Sequence, residues 1–132
     1  MDIVLVDTSA WINFFKGTEM GSSLFLKNNL GNAVIATCPI ILQEVLQGIK
    51  IEKEFRTVNS LFSGLTRFSN DPYELAYSAA KLYRELRNKG ITIRKPNDCL
   101  IALYAIKNNV SLLHDDKDFY YISMNSDLVI QQ

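Results

Sequence analysis

The segment that best indicates how this chain folds is Ile3-Val4-Leu5-Val6-Asp7-Thr8-Ser9. Four apolar residues, three of them β-branched, run directly into a carboxylate and two hydroxyls. A short apolar run is typical of a strand buried on both faces in a parallel sheet, although periodicity alone does not distinguish it from a buried helix. Asp7 then stands at the carboxyl end of the strand, where α/β sheets bind ligands. The alternative, which the segment by itself favours, is that Asp7 or Thr8 caps a helix that begins at Ser9.

Length and composition indicate an ordinary globular chain. The 132 residues suit one domain with one core, which we expect to span residues 1–132. Hydrophobic residues make up 48% of the chain and charged residues 21%, which excludes the composition of a disordered protein. Because 14 basic residues balance 14 acidic ones, nucleic-acid binding would depend on a local patch of charge.

The sequence also bears on the compartment. The longest apolar run, residues 99–106, is far shorter than the roughly 20 residues that cross a bilayer, and the N-terminus lacks the basic segment of a signal peptide. We therefore expect a soluble cytoplasmic protein without membrane contact. Cys38 and Cys99 form no CxxC pair, which predicts buried reduced thiols and no soft-metal site.

Apolar patterns and turn residues predict strands that alternate with helices. Pro39 and Gly48 frame one helix, and Asp71-Pro72 with Gly90 frame another. This alternation predicts an α/β fold in three layers, with a mostly parallel central sheet of four to five strands flanked by helices. The predicted strands are 3–6, 33–36, 66–68, 111–113 and 127–130; the predicted helices are 9–15, 22–30, 39–47, 51–65, 72–89 and one that starts at 96–97 and continues through 106.

Acidic residues follow these elements at positions that share one edge of the sheet. Right-handed crossovers place strand ends and the starts of the following helices at the carboxyl edge, which brings Asp7, Asp98 and the acids of 115–118 together, with Glu44. The alternatives are that Glu44 is a solvated helix residue and that Asp98 complements a helix dipole. Carboxylates this close raise each other's pKa and require protons or a cation. A set of oxygen ligands selects Mg²⁺ or Mn²⁺ over Zn²⁺, which points to phosphate chemistry.

Four segments then carry a resemblance to a known family. VDTSAWI at 6–12, EVLQG at 44–48, NDCLIA at 97–102 and HDDKDF at 114–119 occur in the order seen in PIN domains, and the chain most closely resembles the VapC-type ribonuclease toxins. The resemblance implies cleavage of RNA with Mg²⁺ or Mn²⁺, a cognate antitoxin and a homodimer. It also implies that the acidic set consists of Asp7, Glu44, Asp98 and Asp116, with Asp118 as a further ligand or orienting residue.

We assign hypothetical roles to these residues and their neighbours. Cations are expected on Asp7, Asp98, Asp116 and Asp118, while Glu44 holds a second cation or orients a water. Hydroxyls of Thr8 or Ser9, and Asn97, are expected to support the ligands, and with Asp7 assigned to the metal, Thr8 becomes the expected helix cap. The basic residues expected to contact RNA phosphates are Arg84, Arg87, Arg94 and Lys95.

Two residues and two rival functions stay open. His114 stands where family members often have a hydroxyl, and a packing or hydrogen-bonding role is favoured over a general acid. Asp115 is a further acid to which the pattern gives no role. A phosphatase or phosphotransfer domain with an aspartyl nucleophile is one rival, although Thr8 and Ser9 stand where those families need a second acid. The other rival is a catalytically silent scaffold that binds RNA or protein.

Overall fold

A computed structural model describes residues 2–19, 21–32 and 34–131 of the chain. Within these ranges helices and strands alternate, and the model confirms the predicted α/β fold with a parallel sheet flanked by helices. The elements are β1 (Val4–Val6), α1 (Thr8–Phe15), α2 (Gly21–Asn29), β2 (Ile35–Thr37), α3 (Pro39–Gln47), α4 (Glu52–Ser63), β3 (Thr66–Arg67), α5 (Pro72–Asn88), α6 (Asn97–Lys107), β4 (Ser111–Leu113) and α7 (Asp118–Met124).

The four strands form one parallel sheet in the order β3-β2-β1-β4. β1 is an inner strand, and all three of its residues are buried, as the unbroken apolar run predicts. Leu5 pairs with Ala36 of β2 and with Leu112 of β4. The backbone N–H of Asp7 donates to the carbonyl of Leu113 at 2.9 Å, which ties the ends of β1 and β4 together. The carboxyl edge of the sheet therefore holds both segments side by side.

Two elements differ from the sequence-based expectation. The predicted strand 127–130 is reduced to a single parallel bridge between Leu112 and Ile130, because in β4 only Leu112 exchanges backbone hydrogen bonds with it. Helix α7 was not predicted, although Phe119 and Ile122, three residues apart, are its buried apolar positions. In the predicted strand 33–36, Ala33 lies outside the described residues, and β2 extends to Thr37.

The core is built around β1 and the aromatic side of α1. Trp11 is fully buried, and its ring centroid lies 4.7 Å from that of Phe62 of α4 and 6.2 Å from that of Phe14. Both cysteines are buried and free, as predicted. Among the described residues, no helix combines the length and the hydropathy that a membrane span requires. The core thus fixes α1 rigidly behind the end of β1.

Helix capping positions the segment that precedes α6. The Asp71 side chain accepts a hydrogen bond from Tyr73 N–H and caps α5, and the chain leaves this helix through Gly90, whose φ is +83°. That angle lies in the left-handed region that glycine adopts at little cost. Residues 91–96 then lead to α6, whose first turn contains Asp98. Arg94 and Lys95 belong to this segment and lie directly before the helix that carries Asp98.

Candidate active site

A pocket of about 520 Å³ opens at the carboxyl edge of the sheet. The end of β1, the middle of α3, the start of α6 and the loop after β4 all contribute acids to it. The geometry expected from parallel strands is therefore present in the structure. The residues that line the pocket are Asp7, Thr8, Ser9, Ile12, Asn13, Glu44, Arg94, Lys95, Asp98, Asp115, Asp116 and Lys117.

Asp7 uses its two carboxylate oxygens differently. Oδ2 accepts hydrogen bonds from Ser9 N–H at 2.9 Å and from Ser9 Oγ at 2.6 Å, so Asp7 is the N-cap of α1. The expectation that Thr8 caps this helix is wrong, because the Thr8 hydroxyl donates instead to Glu44 Oε1 at 2.6 Å. Oδ1 of Asp7 is buried and has no hydrogen-bond partner among the described residues. One carboxylate therefore serves as a cap and also keeps an oxygen available in the pocket.

Asp98 is the second acid with an unused oxygen. Its side chain is buried, and Oδ2 has no hydrogen-bond partner within the described ranges. Burial, together with the charges of Asp7 and Asp116, raises the pKa of Asp98 to about 7. Burial also raises the pKa of Asp7 to about 6, although the hydrogen bonds from Ser9 oppose this effect and the charge of Glu44 adds to it. Both acids are thus poised to gain from a bound cation.

Asp116 and Asp118 face two basic side chains. Arg94 Nη2 donates to Asp116 Oδ1 at 3.1 Å and Arg94 Nε to Asp118 Oδ2 at 3.2 Å, while Lys95 Nζ lies 3.2 Å from Asp116 Oδ2. Burial opposes ionisation of Asp116, but the Asp118 N–H and the two cations outweigh it and hold the pKa of Asp116 below its usual value. Asp116 is therefore an ionised carboxylate at neutral pH.

The acids meet a simple test for a cation site. One carboxylate oxygen from each of Asp98, Asp116 and Asp118 lies within 4.8 Å of the others, and all three residues are buried. Such oxygen-only sets suit Mg²⁺ and Mn²⁺. The unpartnered oxygens of Asp7 and Asp98 are a second sign, because buried carboxylate oxygens normally have partners. The residues present fit a divalent cation.

Three residues beside the acids complete the site. The buried His114 accepts a hydrogen bond from Asp116 N–H at Nδ1 (3.1 Å) and packs against the rings of Phe119 and Tyr120, and burial lowers its pKa. Asn13 and Ser22, which the sequence pattern did not identify, both donate to Asp115 Oδ2. They come from α1 and α2, and only tertiary contact reveals their role.

Several predicted residues do not line the pocket itself, among them Asp118. Asn97 is exposed at the start of α6 and does not line the pocket. Arg84 and Arg87 are exposed on α5 and do not line it either; the Arg87 guanidinium lies 5.7 Å from the centroid of the Tyr83 ring. Arg94 and Lys95 are the two predicted cations that the structure brings to the acids, and their side chains remain about 60% exposed.

Comparison with known proteins agrees with this architecture. The model of the PIN domain family matches residues 4–124. VapC ribonuclease Mb1587 of Mycobacterium bovis is 34% identical over 128 residues, which cover 96% of each chain. The crystal structure of VapBC2 from Rickettsia felis bound to a promoter DNA fragment has a TM-score of 0.76, with 22% identity and coverage of 98% of this chain and 97% of that one. A toxin–antitoxin complex from Klebsiella pneumoniae has a TM-score of 0.69, with 20% identity and coverage of 88% and 89%. The chain therefore belongs to the PIN domain family and, within it, is a relative of VapC ribonucleases.

Proposed function

We propose that this protein is an endoribonuclease that depends on Mg²⁺ or Mn²⁺ and hydrolyses RNA phosphodiester bonds at the acidic pocket. The observation that carries the proposal is a pair of buried oxygens, Asp7 Oδ1 and Asp98 Oδ2, in one pocket with an ionised Asp116. Neither oxygen has a hydrogen-bond partner among the residues that the structure describes. The name of the relative from Mycobacterium bovis, a VapC ribonuclease, supports RNA as the substrate. We treat residues 1–132 as one nuclease domain.

Asp7, Asp98, Asp116 and Asp118 would hold the cation. When bound, a divalent cation would supply charge stabilisation for the phosphate and the leaving oxygen and would lower the pKa of an attacking water. The protein contributes rigid ligands: Ser9 occupies Oδ2 of Asp7, and the N–H of Asp118 donates to Asp116 Oδ1 at 3.0 Å. These bonds orient the carboxylates of Asp7 and Asp116 before substrate arrives.

Glu44 and Thr8 line the pocket together and are joined by a hydrogen bond. The 2.6 Å bond from the Thr8 hydroxyl leaves the second carboxylate oxygen of Glu44 to hold a further cation or to orient the attacking water. Glu44 can hold a further cation or orient the water without contacting Asp116 or Asp118. It lies on α3, a helix framed by Pro39 and Gly48, whose Ile41 and Val45 are buried in the core.

Basic residues would receive the RNA backbone. Arg94 and Lys95 hold the acids at the pocket rim, and their exposed ends can also contact phosphates. Arg84 and Arg87 would extend this contact along α5. Such a local patch is needed because the chain has no net charge.

We also propose that the protein is the toxin of a toxin–antitoxin pair and forms a homodimer. The Klebsiella complex, named as toxin and antitoxin, supports the first part. The apolar residues of the predicted helix 51–65 support a docking role, because Val58 and Phe62 are buried whereas Ile51 is 57% exposed and Phe55 36%. A groove of about 580 Å³ lies beside it, between Phe15 and Val58. Either the antitoxin or a second copy of the chain would cover this surface.

The test is RNA cleavage by the purified protein with Mg²⁺, with Mn²⁺ and with EDTA, followed by mapping of the new RNA ends. Asp7→Asn and Asp98→Asn keep the side-chain size but remove a charged ligand, and we expect both to abolish cleavage. Asp127→Asn, at an exposed acid away from the pocket, is the matched control. Binding of RNA without any EDTA-sensitive cleavage would instead identify a silent scaffold. An acid-stable phosphoenzyme would identify an aspartyl phosphotransfer domain.

A further inference from the structure

A chain of hydrogen bonds connects Asp115 to Asp7. The backbone N–H of Asp115 donates to Ser9 Oγ at 2.9 Å, and Ser9 Oγ donates to Asp7 Oδ2 at 2.6 Å. Since Ser9 Oγ accepts from Asp115, its single hydrogen is free to point at Asp7. The Ser9 hydroxyl therefore has one orientation, and Asp7 Oδ2 is held by two donors. Within the part of the chain that the structure describes, only Oδ1 of Asp7 is left for a ligand.

The side chain of Asp115 anchors this arrangement. Its Oδ2 accepts from Asn13 Nδ2 at 2.8 Å and from Ser22 Oγ at 2.5 Å. These donors belong to α1 and α2, whereas Asp115 belongs to the loop between β4 and α7. The carboxylate thus fastens the loop that carries Asp116 to the helix that Asp7 caps.

We infer that Asp115 is a positioning residue: its carboxylate, bound by Asn13 and Ser22, fixes the loop N–H on Ser9 and thereby orients Asp7 relative to Asp116. This inference rests on the proposed function, because the oriented acids are the proposed ligands. Asp115 acts through Ser9 and is not itself a ligand. Its role requires an acceptor oxygen with two lone pairs, not a negative charge.

This distinction predicts different results for two substitutions. An asparagine amide oxygen also has two lone pairs and can accept from both Asn13 and Ser22. Asp115→Asn should therefore keep Mn²⁺ affinity within about threefold of the wild-type value, since the bonds lose only their charge assistance. Asp115→Ala removes the anchor, and we expect Mn²⁺ affinity and kcat to fall about tenfold, as when a partner of a metal ligand is lost. KM for RNA should change little, because the loss concerns the acids and not the substrate contacts.

The experiment measures Mn²⁺ binding by electron paramagnetic resonance and calorimetry, and cleavage kinetics on one RNA, for the wild type and both variants. Thermal melting in EDTA sets a working temperature at which every variant is folded. Ser22→Ala removes one of the two donors and keeps Asp115, so it should lower Mn²⁺ affinity in the same direction but less. This variant also provides the test if Asp115→Ala does not fold.

The outcomes separate the inference from the proposed function. If Mn²⁺ affinity and kcat fall in Asp115→Ala but are retained in Asp115→Asn, the result supports the positioning role. Equal loss in both variants overturns it in favour of a charged or ligating Asp115, and wild-type Mn²⁺ binding in folded Asp115→Ala overturns it altogether. If the wild type binds Mn²⁺ and cleaves RNA in these cases, the proposed function still stands. A wild type that neither binds Mn²⁺ nor cleaves RNA overturns both.

Discussion

Replacing Asp98 with asparagine should make the metal-free protein more stable while it destroys the proposed activity. Asp98 is buried, and its Oδ2 has no hydrogen-bond partner in the described part of the chain. In the absence of a cation, an ionised carboxylate here is repelled by Asp7 and Asp116, and the charge of Lys95 compensates only in part. Asparagine fills the same volume without a charge. The substitution therefore tests whether these acids are arranged for a cation at a cost in stability.

The size of the expected gain in stability follows from the pKa of Asp98. A rise from 3.8 to about 7 corresponds to roughly 4 kcal/mol of extra cost for ionising this group in the folded protein. The new amide also needs hydrogen-bond partners, which subtracts about 1–3 kcal/mol if they are missing. We therefore expect a net gain of at least about 1 kcal/mol at pH 8, which is roughly 4 °C in Tm for a chain of this size.

The gain should depend on pH in one direction. Because the pKa of Asp98 is higher in the folded protein than in the unfolded chain, its protonation stabilises the wild type fully below about pH 3.8. This stability is lost as the pH rises through about 7. The asparagine side chain of the variant does not titrate, so the advantage of Asp98→Asn should be absent near pH 4 and greatest near pH 8.

Urea denaturation followed by circular dichroism, in EDTA, measures this difference across the pH range. Asp127→Asn is the control, because Asp127 is exposed and lies outside the acidic pocket. Added Mg²⁺ should reverse the order, since a ligand that binds only the folded wild type stabilises it by mass action. A variant that is less stable than the wild type at pH 8 in EDTA, or a difference that does not change with pH, would refute this reasoning.

Three further predictions concern the pocket and its support. Mn²⁺ affinity of the wild type should rise from pH 5 to pH 8, because Asp7, with a pKa of about 6, and Asp98, with a pKa of about 7, must lose protons before they bind a cation. Calorimetry over this pH range checks this prediction, and a constant affinity would contradict it. Thr8→Val removes the hydroxyl that donates to Glu44 and should lower kcat about tenfold with little change in Tm, whereas Thr8→Ser should retain activity. Equal kcat in the two variants would exclude a role for this hydroxyl in orienting Glu44. Trp11→Ala should lower the free energy of unfolding by about 3–5 kcal/mol, because the ring is fully buried against Phe14, Phe15 and Phe62. Urea denaturation followed by circular dichroism measures this loss, and a loss under about 1 kcal/mol would show that this ring does not anchor α1.

Local sequence patterns determined most of the fold. The apolar run 4–6 predicts an inner strand because a strand buried on both faces needs no polar alternation, and β1 has that place. Proline and glycine at the ends of α3, and Asp71-Pro72 with Gly90 around α5, act within a few residues and predict those helices. Sequence patterns do not predict helix α7, whose apolar pattern is brief, and they predict a full strand over 127–130 where the structure has a single bridge.

The positions of the acids could also be predicted from the sequence, because parallel strands with right-handed crossovers allow only one edge for strand ends and helix starts. Asp7, Asp98 and Asp116 line one pocket for this reason, and Glu44 joins them from the middle of α3. The sequence does not, however, show which oxygen of each acid is occupied. Hydrogen bonds between segments far apart in the chain decide that.

Asp7 shows which property of a residue the sequence determines and which only the tertiary structure decides. Its type and its place after β1 allowed either a helix cap or a metal ligand, and the local sequence by itself favoured the cap. The structure assigns the cap to Oδ2, through Ser9, and leaves Oδ1 without a partner among the described residues. Asp115, tied to Asn13 and Ser22 from two other helices, holds Ser9 in place. Short-range patterns thus determined the elements and the edge where they meet, whereas the state of each carboxylate depends on contacts that exist only once the chain is folded.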